Sequence, residues 1–385
     1  MFNGPALLRL AFLGLVSAVP LERTHPVTYS HWYDDELALL ELSLLDPYPA
    51  LGKPRLTFKP DGTFKITVFS DLHFGENPWD DWGPQQDVNS LKLMNKILPD
   101  EKPDYAVING DLITGENTFK ENATTLIDQI VGPFNAAGVP FSTTHGNHDN
   151  QKNITHQEEI LREQQVAPLS YTRLAPNGVG GQDGPGNYWV PIPAPALVLW
   201  FFDSRGGFTA NATSTAVPDW VDESVTSWIT EQTERMEEEW GPSEDRSALA
   251  FMHIPPHAII KVQEGGIDST KNPGLNADTL GKGSVQAASD EPFWEALTSK
   301  IKNLHAIISG HDHGNEWCAR ENNKNVVFCF NKHSGYGGYG REGWGYGVRN
   351  FIFSSPDPKV PVQSWIRLED GETRAHVTLD SSYGR

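Results

Sequence analysis

Five short apolar runs in this chain each end in a carboxylate, an amide or an imidazole, and that repetition limits the folds open to it. Phe64 to Ser70 runs into Asp71-Leu72-His73, Tyr105 to Ile108 into Gly110-Asp111, and Phe141 to Thr144 into Gly146-Asn147-His148-Asp149. Ser247 to Met252 runs into His253, and Ala306 to Ile308 into Gly310-His311-Asp312-His313. Short β-branched and aromatic runs closed by Gly, Asn or Asp are strand signals. Between the first three lie helical periods. Val88, Leu91, Met94 and Leu98 predict a helix that stops before Pro99, and Leu126, Ile127 and Ile130 mark the apolar face of another over Asn122 to Asn135. Strand, helix, strand, helix, strand implies parallel pairing with right-handed crossovers. In such sheets functional groups collect beyond the carboxyl ends of strands, where Asp71, Asp111 and Asn147 fall.

The rest of the chain extends this α/β plan. Arg55 to Phe58, a turn at Asp61-Gly62 and the Phe64 run read as a hairpin. Residues 171 to 190 form a Gly- and Pro-rich loop, and Ala196 to Phe202 is the most apolar strand. Helices are predicted from Glu223 to Trp240 and near Pro292 to Ile301, with a mobile loop over residues 262 to 289 between them. The tail, Ser364 to Leu368 and Ala375 to Leu379, alternates as a closing antiparallel pair. A length of 385 residues then suits one large catalytic domain, placed at 54–385. With 35 Gly and 28 Pro against 38% apolar residues, it is globular and turn-rich. A net charge of −20 argues against a nucleic-acid partner, which calls for a basic groove.

The first 19 residues contain the apolar run Ala6 to Ala18, too short to span a bilayer, with small residues Ser17 and Ala18 before Val19-Pro20. They read as a secretory signal peptide rather than a chance apolar stretch, and residues 20–53 as a leader or surface wrap. No later segment is apolar enough for a membrane span, and nothing calls for an obligate protein partner. The sequons at Asn122, Asn153 and Asn211 agree with a secreted or secretory-pathway glycoprotein. Cys318 and Cys329 flank a predicted hairpin with its turn at Asn322 to Asn325. In an oxidising compartment they pair, closing a loop worth about 3 kcal/mol in the chain-entropy picture; otherwise they are two buried thiols.

The strand-end residues are the donor set of a two-metal site: carboxylate and amide oxygens with four imidazoles, which suits Mn, Fe or Zn. The order D-x-H, G-D, G-N-H-D, H, G-H-x-H over residues 71 to 313 resembles the calcineurin-like metallophosphoesterases, the superfamily of purple acid phosphatases and protein Ser/Thr phosphatases. Ser70 to Gly75, Phe251 to Pro255 and Gly335 to Gly340 are most similar to fungal cell-cycle-regulator phosphatases and plant purple-acid-phosphatase-like relatives. The resemblance implies a four-layer α/β/β/α sandwich of two mixed sheets. It implies that Asp71, His73 and His313 hold one metal, that Asn147, His253 and His311 hold the other, and that Asp111 bridges them. It implies that His148 protonates the leaving oxygen or steadies the transition state, oriented by Asp149. The implied activity is hydrolysis of phosphate monoesters by in-line attack of a hydroxide held by both metals, on a phosphorylated small molecule or phosphoprotein. A diesterase or nucleotide hydrolase, and a silent binding protein on the same fold, are the alternatives. Purple acid phosphatases carry a metal-binding Tyr three residues after the bridging Asp; Thr114 stands there, so no tyrosinate biases the site to ferric iron.

Some neighbouring residues stay open. Arg205 reaches a substrate phosphate or makes a surface ion pair, and His257 lines the substrate pocket or the surface. His145 and His333 are ambiguous, and Asp312 points away from its two histidine neighbours. The glycines and aromatics from 335 to 347 form a binding rim or a packing element.

Overall fold

The computed structural model describes residues 45–192, 196–211 and 213–385. The run read as a signal peptide and most of the segment before residue 54 lie outside the described residues. The first half-sandwich is built early in the chain from β1 (Phe64–Phe69), β2 (Tyr105–Asn109) and β3 (Phe141–Thr144). Then come β4 (Tyr188–Ile192), β5 (Leu197–Phe201), β6 (Ser247–Phe251), β7 (Leu304–Ser309), β8 (Cys318–Glu321) and β9 (Val326–Phe330). β10 (Gly347–Phe353), β11 (Val362–Leu368) and β12 (Thr373–Leu379) close the chain. One sheet has the order β12-β11-β10-β1-β2-β3, the other β4-β5-β6-β7-β9-β8. Both are mixed: β1, β2 and β3 pair in parallel, as do β5, β6, β7 and β9, and antiparallel strands flank each parallel set.

Alternation along the strands sorts side chains between layers. Leu197, Leu199 and Phe201 of β5 enter the core between the sheets with Ile66, Val68, Val107, Leu249, Phe251 and Ile308. Val198 and Trp200, one residue out of step, face the helices α4 (Ser224–Trp240) and α6 (Glu291–Lys300) through Trp228, Ile229, Phe293 and Leu297. On the opposite side, α1 (Trp82–Glu101) and α2 (Ala123–Ala137) cover Phe69, Ile108 and Phe141. The result is a four-layer α/β/β/α sandwich. Every central strand is buried on both faces, which is why the runs read as continuous apolar stretches. No helix among the described residues is long and apolar enough to cross a membrane.

Five readings change. Arg55 to Phe58 is not a strand, because β1 already pairs with β10 and β2 and offers no free edge. α1 runs through Pro99: a missing N–H in the last turn costs a single hydrogen bond, and the helix ends at left-handed Lys102, whose N–H bonds Leu98 O at 3.0 Å. A helix missed in the sequence, α3 (His156–Val166), starts at a Thr155/Glu158 capping box. The packed body begins before residue 54, with Leu45 and Tyr48 buried and the Tyr48 hydroxyl donating to the carbonyls of Tyr171 and Trp189. The 262–289 stretch, expected to be a mobile loop, includes the end of α5 (Ile259–Glu264) and is fastened by side chains, with Asp278 accepting from Gly314 N at 2.8 Å and Tyr339 OH at 2.6 Å. Cys318 and Cys329 face each other across the β8/β9 ladder and are bonded.

Candidate metal centre

The ends of β1, β2, β3, β6 and β7 open onto one pocket. Asp71, His73, Asp111 and His311 all adopt left-handed backbone conformations, with φ of 54°, 50°, 49° and 73°. Residues other than glycine seldom enter this region, and it persists only where surroundings enforce it, as at functional sites. Here the enforcement is visible: Asp71 N bonds Gly110 O, and His73 N bonds Asp111 O, each at 3.0 Å, so the two loops run paired beyond the strands. The glycines ahead of the functional residues give the room. A Cβ on Gly110 would sit 2.4 Å from the His253 ring, and one on Gly146 would sit 2.3 Å from Asp111 Oδ1.

Asp71 Oδ1 lies 3.5 Å from His313 Nε2 and 3.9 Å from His253 Nε2. Asp111 Oδ2 lies 3.0 Å from His253 Nε2 and 3.6 Å from His73 Nε2. Donor atoms fall into three overlapping groups, Asp71/His73/His313, Asp111/His253/His311 and His73/Asp111/His148, each within 4.8 Å. The ring tautomers are set from outside. His73 Nδ1 meets Thr114 Oγ1 at 3.1 Å, His253 Nδ1 meets Asn109 O at 3.0 Å, and His313 Nδ1 meets Tyr339 O at 2.5 Å. Donation there leaves the Nε2 lone pair for the pocket. His311 is turned the other way, Nε2 against Gly283 O at 2.9 Å, so its Nδ1 serves.

Three buried atoms, His73 Nε2, Asn147 Oδ1 and His313 Nε2, make no hydrogen bond, and a fourth, His253 Nε2, faces only Asp111 Oδ2 at 3.0 Å. Such orphans are costly and need a reason. Burial alone would raise both carboxyls; the imidazoles of His313 and His253 beside Asp71, and of His253 and His148 beside Asp111, outweigh it and keep both ionised. Against the burial that lowers it, Asp111 and Asp71 push His253 up to about 10, so the metal-free ring holds an Nε2 proton that a cation would displace. A pocket with two buried carboxylates and lone pairs aimed inward is one that takes cations, so the donor set fits a pair of metal ions.

His148 sits beside this set, its ring 5.0 Å from that of His73 and its backbone N–H on Asp111 Oδ1 at 2.9 Å. Asp149 does not orient it. Asp149 turns inward, accepting from Gly146 N at 2.8 Å and Ile113 N at 3.0 Å, and so rivets the turn to the end of β2. The partner is Glu116, whose Oε1 lies 2.6 Å from His148 Nδ1. Burial disfavours the charged ring, but Asp111 and Glu116 outweigh it and hold His148 up to about 9. Nothing in the sequence marked Glu116, because its role depends on the path of the loop after Asp111. His156 was also missed: its Nδ1 meets Asp203 at 2.9 Å and its Nε2 meets Gly146 O at 2.9 Å, fixing the peptide before Asn147. The Thr155/Glu158 pattern was the signal available for it.

The two proposed substrate-binding residues are engaged elsewhere. Arg205 donates to Trp220 O at 2.8 Å and to Asp222 Oδ2 at 3.0 Å, against Trp220. Its backbone turn, not its guanidinium, approaches Asn147: a Cβ on Gly206 would sit 2.9 Å from Asn147 Cβ. His257 is bound to Asp290 at the start of α6 through both its ring and its backbone N–H. Asp312 is buried, with burial and Asp278 pushing it up to about 8. His145 is buried near Glu159. His333 stacks on His313, the ring centres 5.1 Å apart. The 335–347 segment both packs and borders the site, Tyr339 lying parallel to His313 at 4.1 Å. Of the sequons, Asn122 and Asn211 are exposed, whereas the Asn153 amide donates to Thr118 O at 2.6 Å.

Residues 64–315 match the calcineurin-like phosphoesterase family. The probable inactive purple acid phosphatase 14 of Arabidopsis thaliana is 26% identical over 86% of this chain and 86% of its own length. Its probable inactive purple acid phosphatase 28 is 29% identical over 75% of each chain. The phosphatase DCR2 of Saccharomyces cerevisiae is 27% identical over 72% of this chain and 49% of its own length. Among solved structures, a dimetal phosphatase from Danio rerio superposes with a TM-score of 0.51, at 13% identity, over 83% of this chain and 100% of that one.

Proposed function

The chain belongs to the calcineurin-like phosphoesterase family, and from that premise we propose that it is a metal-dependent phosphatase of the secretory pathway acting on phosphate monoesters. The observation that supports the reading is the gathering of buried imidazoles around two ionised carboxylates, with His73 Nε2 and His313 Nε2 left without a hydrogen bond. Asp71, His73 and His313 would hold one ion, and Asn147, His253 and His311 the other, with Asp111 shared. Two ions, when bound, supply Lewis acidity and neutralise charge on the phosphoryl oxygens; with no tyrosine at position 114, Mn, Fe and Zn all suit the donors. The protein's own work lies in placement and proton transfer. His148, held charged by Asp111 and Glu116, gives its proton to the departing ester oxygen, a role in which a positioned acid contributes about 10²–10⁴-fold. A dianionic monoester brings more charge to a bicationic pocket than a monoanionic diester, which favours the monoester. The apolar run before residue 19, the Cys318–Cys329 bond and the sequons support the secretory reading.

The names of the plant relatives favour a second reading, a protein that binds phosphorylated ligands without turnover. Steady-state assays on Mn²⁺-reconstituted protein separate these. Phosphatase activity predicts a higher kcat/KM for p-nitrophenyl phosphate than for bis(p-nitrophenyl) phosphate. A preference for the bis ester would make it a diesterase, and no turnover of either with metal bound would leave the binding protein.

A further inference from the structure

His73 differs from the other candidate imidazoles in what holds its far nitrogen. His253, His311 and His313 each rest on a backbone carbonyl, whereas His73 Nδ1 meets a hydroxyl, Thr114 Oγ1, at 3.1 Å. A carbonyl can only accept, so it fixes the ring tautomer unaided; a hydroxyl both donates and accepts, and needs a third group to fix its direction. Glu76 is that group. Its Oε2 takes the Thr114 hydroxyl proton at 2.8 Å, and its Oε1 takes the Asn117 amide at 3.0 Å. With the Thr114 proton committed to Glu76, its oxygen is left to accept from His73 Nδ1–H. Thr114 is buried, and its own N–H is held by Phe74 O at 2.8 Å, so the hydroxyl has little freedom to turn away.

We propose that Glu76 and Thr114 form a carboxylate–hydroxyl–imidazole relay that positions His73 and sets its strength as a metal donor. The proposal rests on the two-metal reading. Both are positioning residues, acting through His73. The carboxylate polarises the hydroxyl, the hydroxyl polarises the imidazole N–H, and electron density at Nε2 rises toward the pocket. Position 114 thereby tunes the site from outside the ligand set.

The test is calorimetric titration of metal-free protein with Mn²⁺, which needs no turnover. Thr114→Val keeps the shape and removes the hydroxyl, and Thr114→Ser restores it. The relay predicts that Thr114→Val weakens one of two binding steps by about 10–100-fold, the usual range for losing such a support, and that Thr114→Ser binds close to wild type. Should the valine variant not fold, Glu76→Gln takes its place and must weaken the same step. Wild type binding two ions with Thr114→Val unaffected, or Thr114→Ser as weak as Thr114→Val, overturns the relay alone. Wild type binding no Mn²⁺ overturns the two-metal reading and the relay with it.

Discussion

Two buried polar clusters adjoin in this molecule, and they treat charge in opposite ways. In the metal pocket, Asp71 and Asp111 face imidazoles whose inward atoms meet nothing but these carboxylates. Beyond His333, which stacks on His313 and touches Lys332 Nζ at 2.7 Å, Glu316 is fully matched. Its Oε1 lies 3.1 Å from Lys332 Nζ and 2.6 Å from Arg374 Nη2, its Oε2 lies 2.9 Å from Arg374 Nε, and Arg349 donates to its carbonyl. The second cluster contains its own cations and is a structural joint between β9, β10 and β12. The first has donor atoms left over, which is how a site built for ions from outside differs from a buried ion pair.

Activity separates the two clusters most clearly. His148→Ala should lower kcat on a monoester by about 10²–10⁴-fold with circular dichroism unchanged. Glu116→Gln should have a smaller effect and move the basic limb of the kcat profile to lower pH. The carboxylate holds the ring protonated, so without it His148 loses its proton earlier as pH rises. An unmoved limb would mean that Glu116 does not act on His148.

At the other cluster the damage should fall on stability. Glu316→Leu leaves Lys332 buried without its partner, and breaking a buried pair costs about 3–5 kcal/mol. A lower denaturant midpoint with near-normal kcat for the folded fraction is the expected outcome. The reverse pattern would erase the distinction between joint and site.

The smallest effect lies at the opposite end of β7. Burial depresses His305 to about 4, and its Nε2 meets Ser247 Oγ at 3.1 Å. The unfolded chain takes up a proton near pH 6.5 that the fold resists until about 4. The stability contributed is therefore full above 6.5 and lost as pH falls toward 4. Denaturant midpoints across that window should slope less in His305→Gln than in wild type; equal slopes would assign the acid sensitivity elsewhere.

The strand ends were legible because apolar runs and hard donors alternate in one dimension as they do in space. Donor atoms of Asp71, His73, Asp111, His253, His311 and His313 lie in overlapping groups, and Asn147 precedes His148, whose N–H bonds Asp111. What escaped notice depends on loop paths and on unusual burial. α3 buries His156, Glu159 and Glu163 beside Ile160, so its inward face carries no apolar period. Glu116 reaches His148 across a turn, while Asp149, adjacent in sequence, is consumed by two backbone amides. Arg205 and His257 sat next to the right strand ends, but each found a nearer carboxylate, Asp222 and Asp290.

The most direct measurement is a metal count. Wild-type protein and Asp111→Asn would be dialysed against Mn²⁺, freed of excess and analysed by mass spectrometry for ions per chain. A shared carboxylate between two ions predicts two per chain in wild type and one or none in Asp111→Asn. A wild type that retains no metal, or an Asp111→Asn variant that retains two ions, would contradict it.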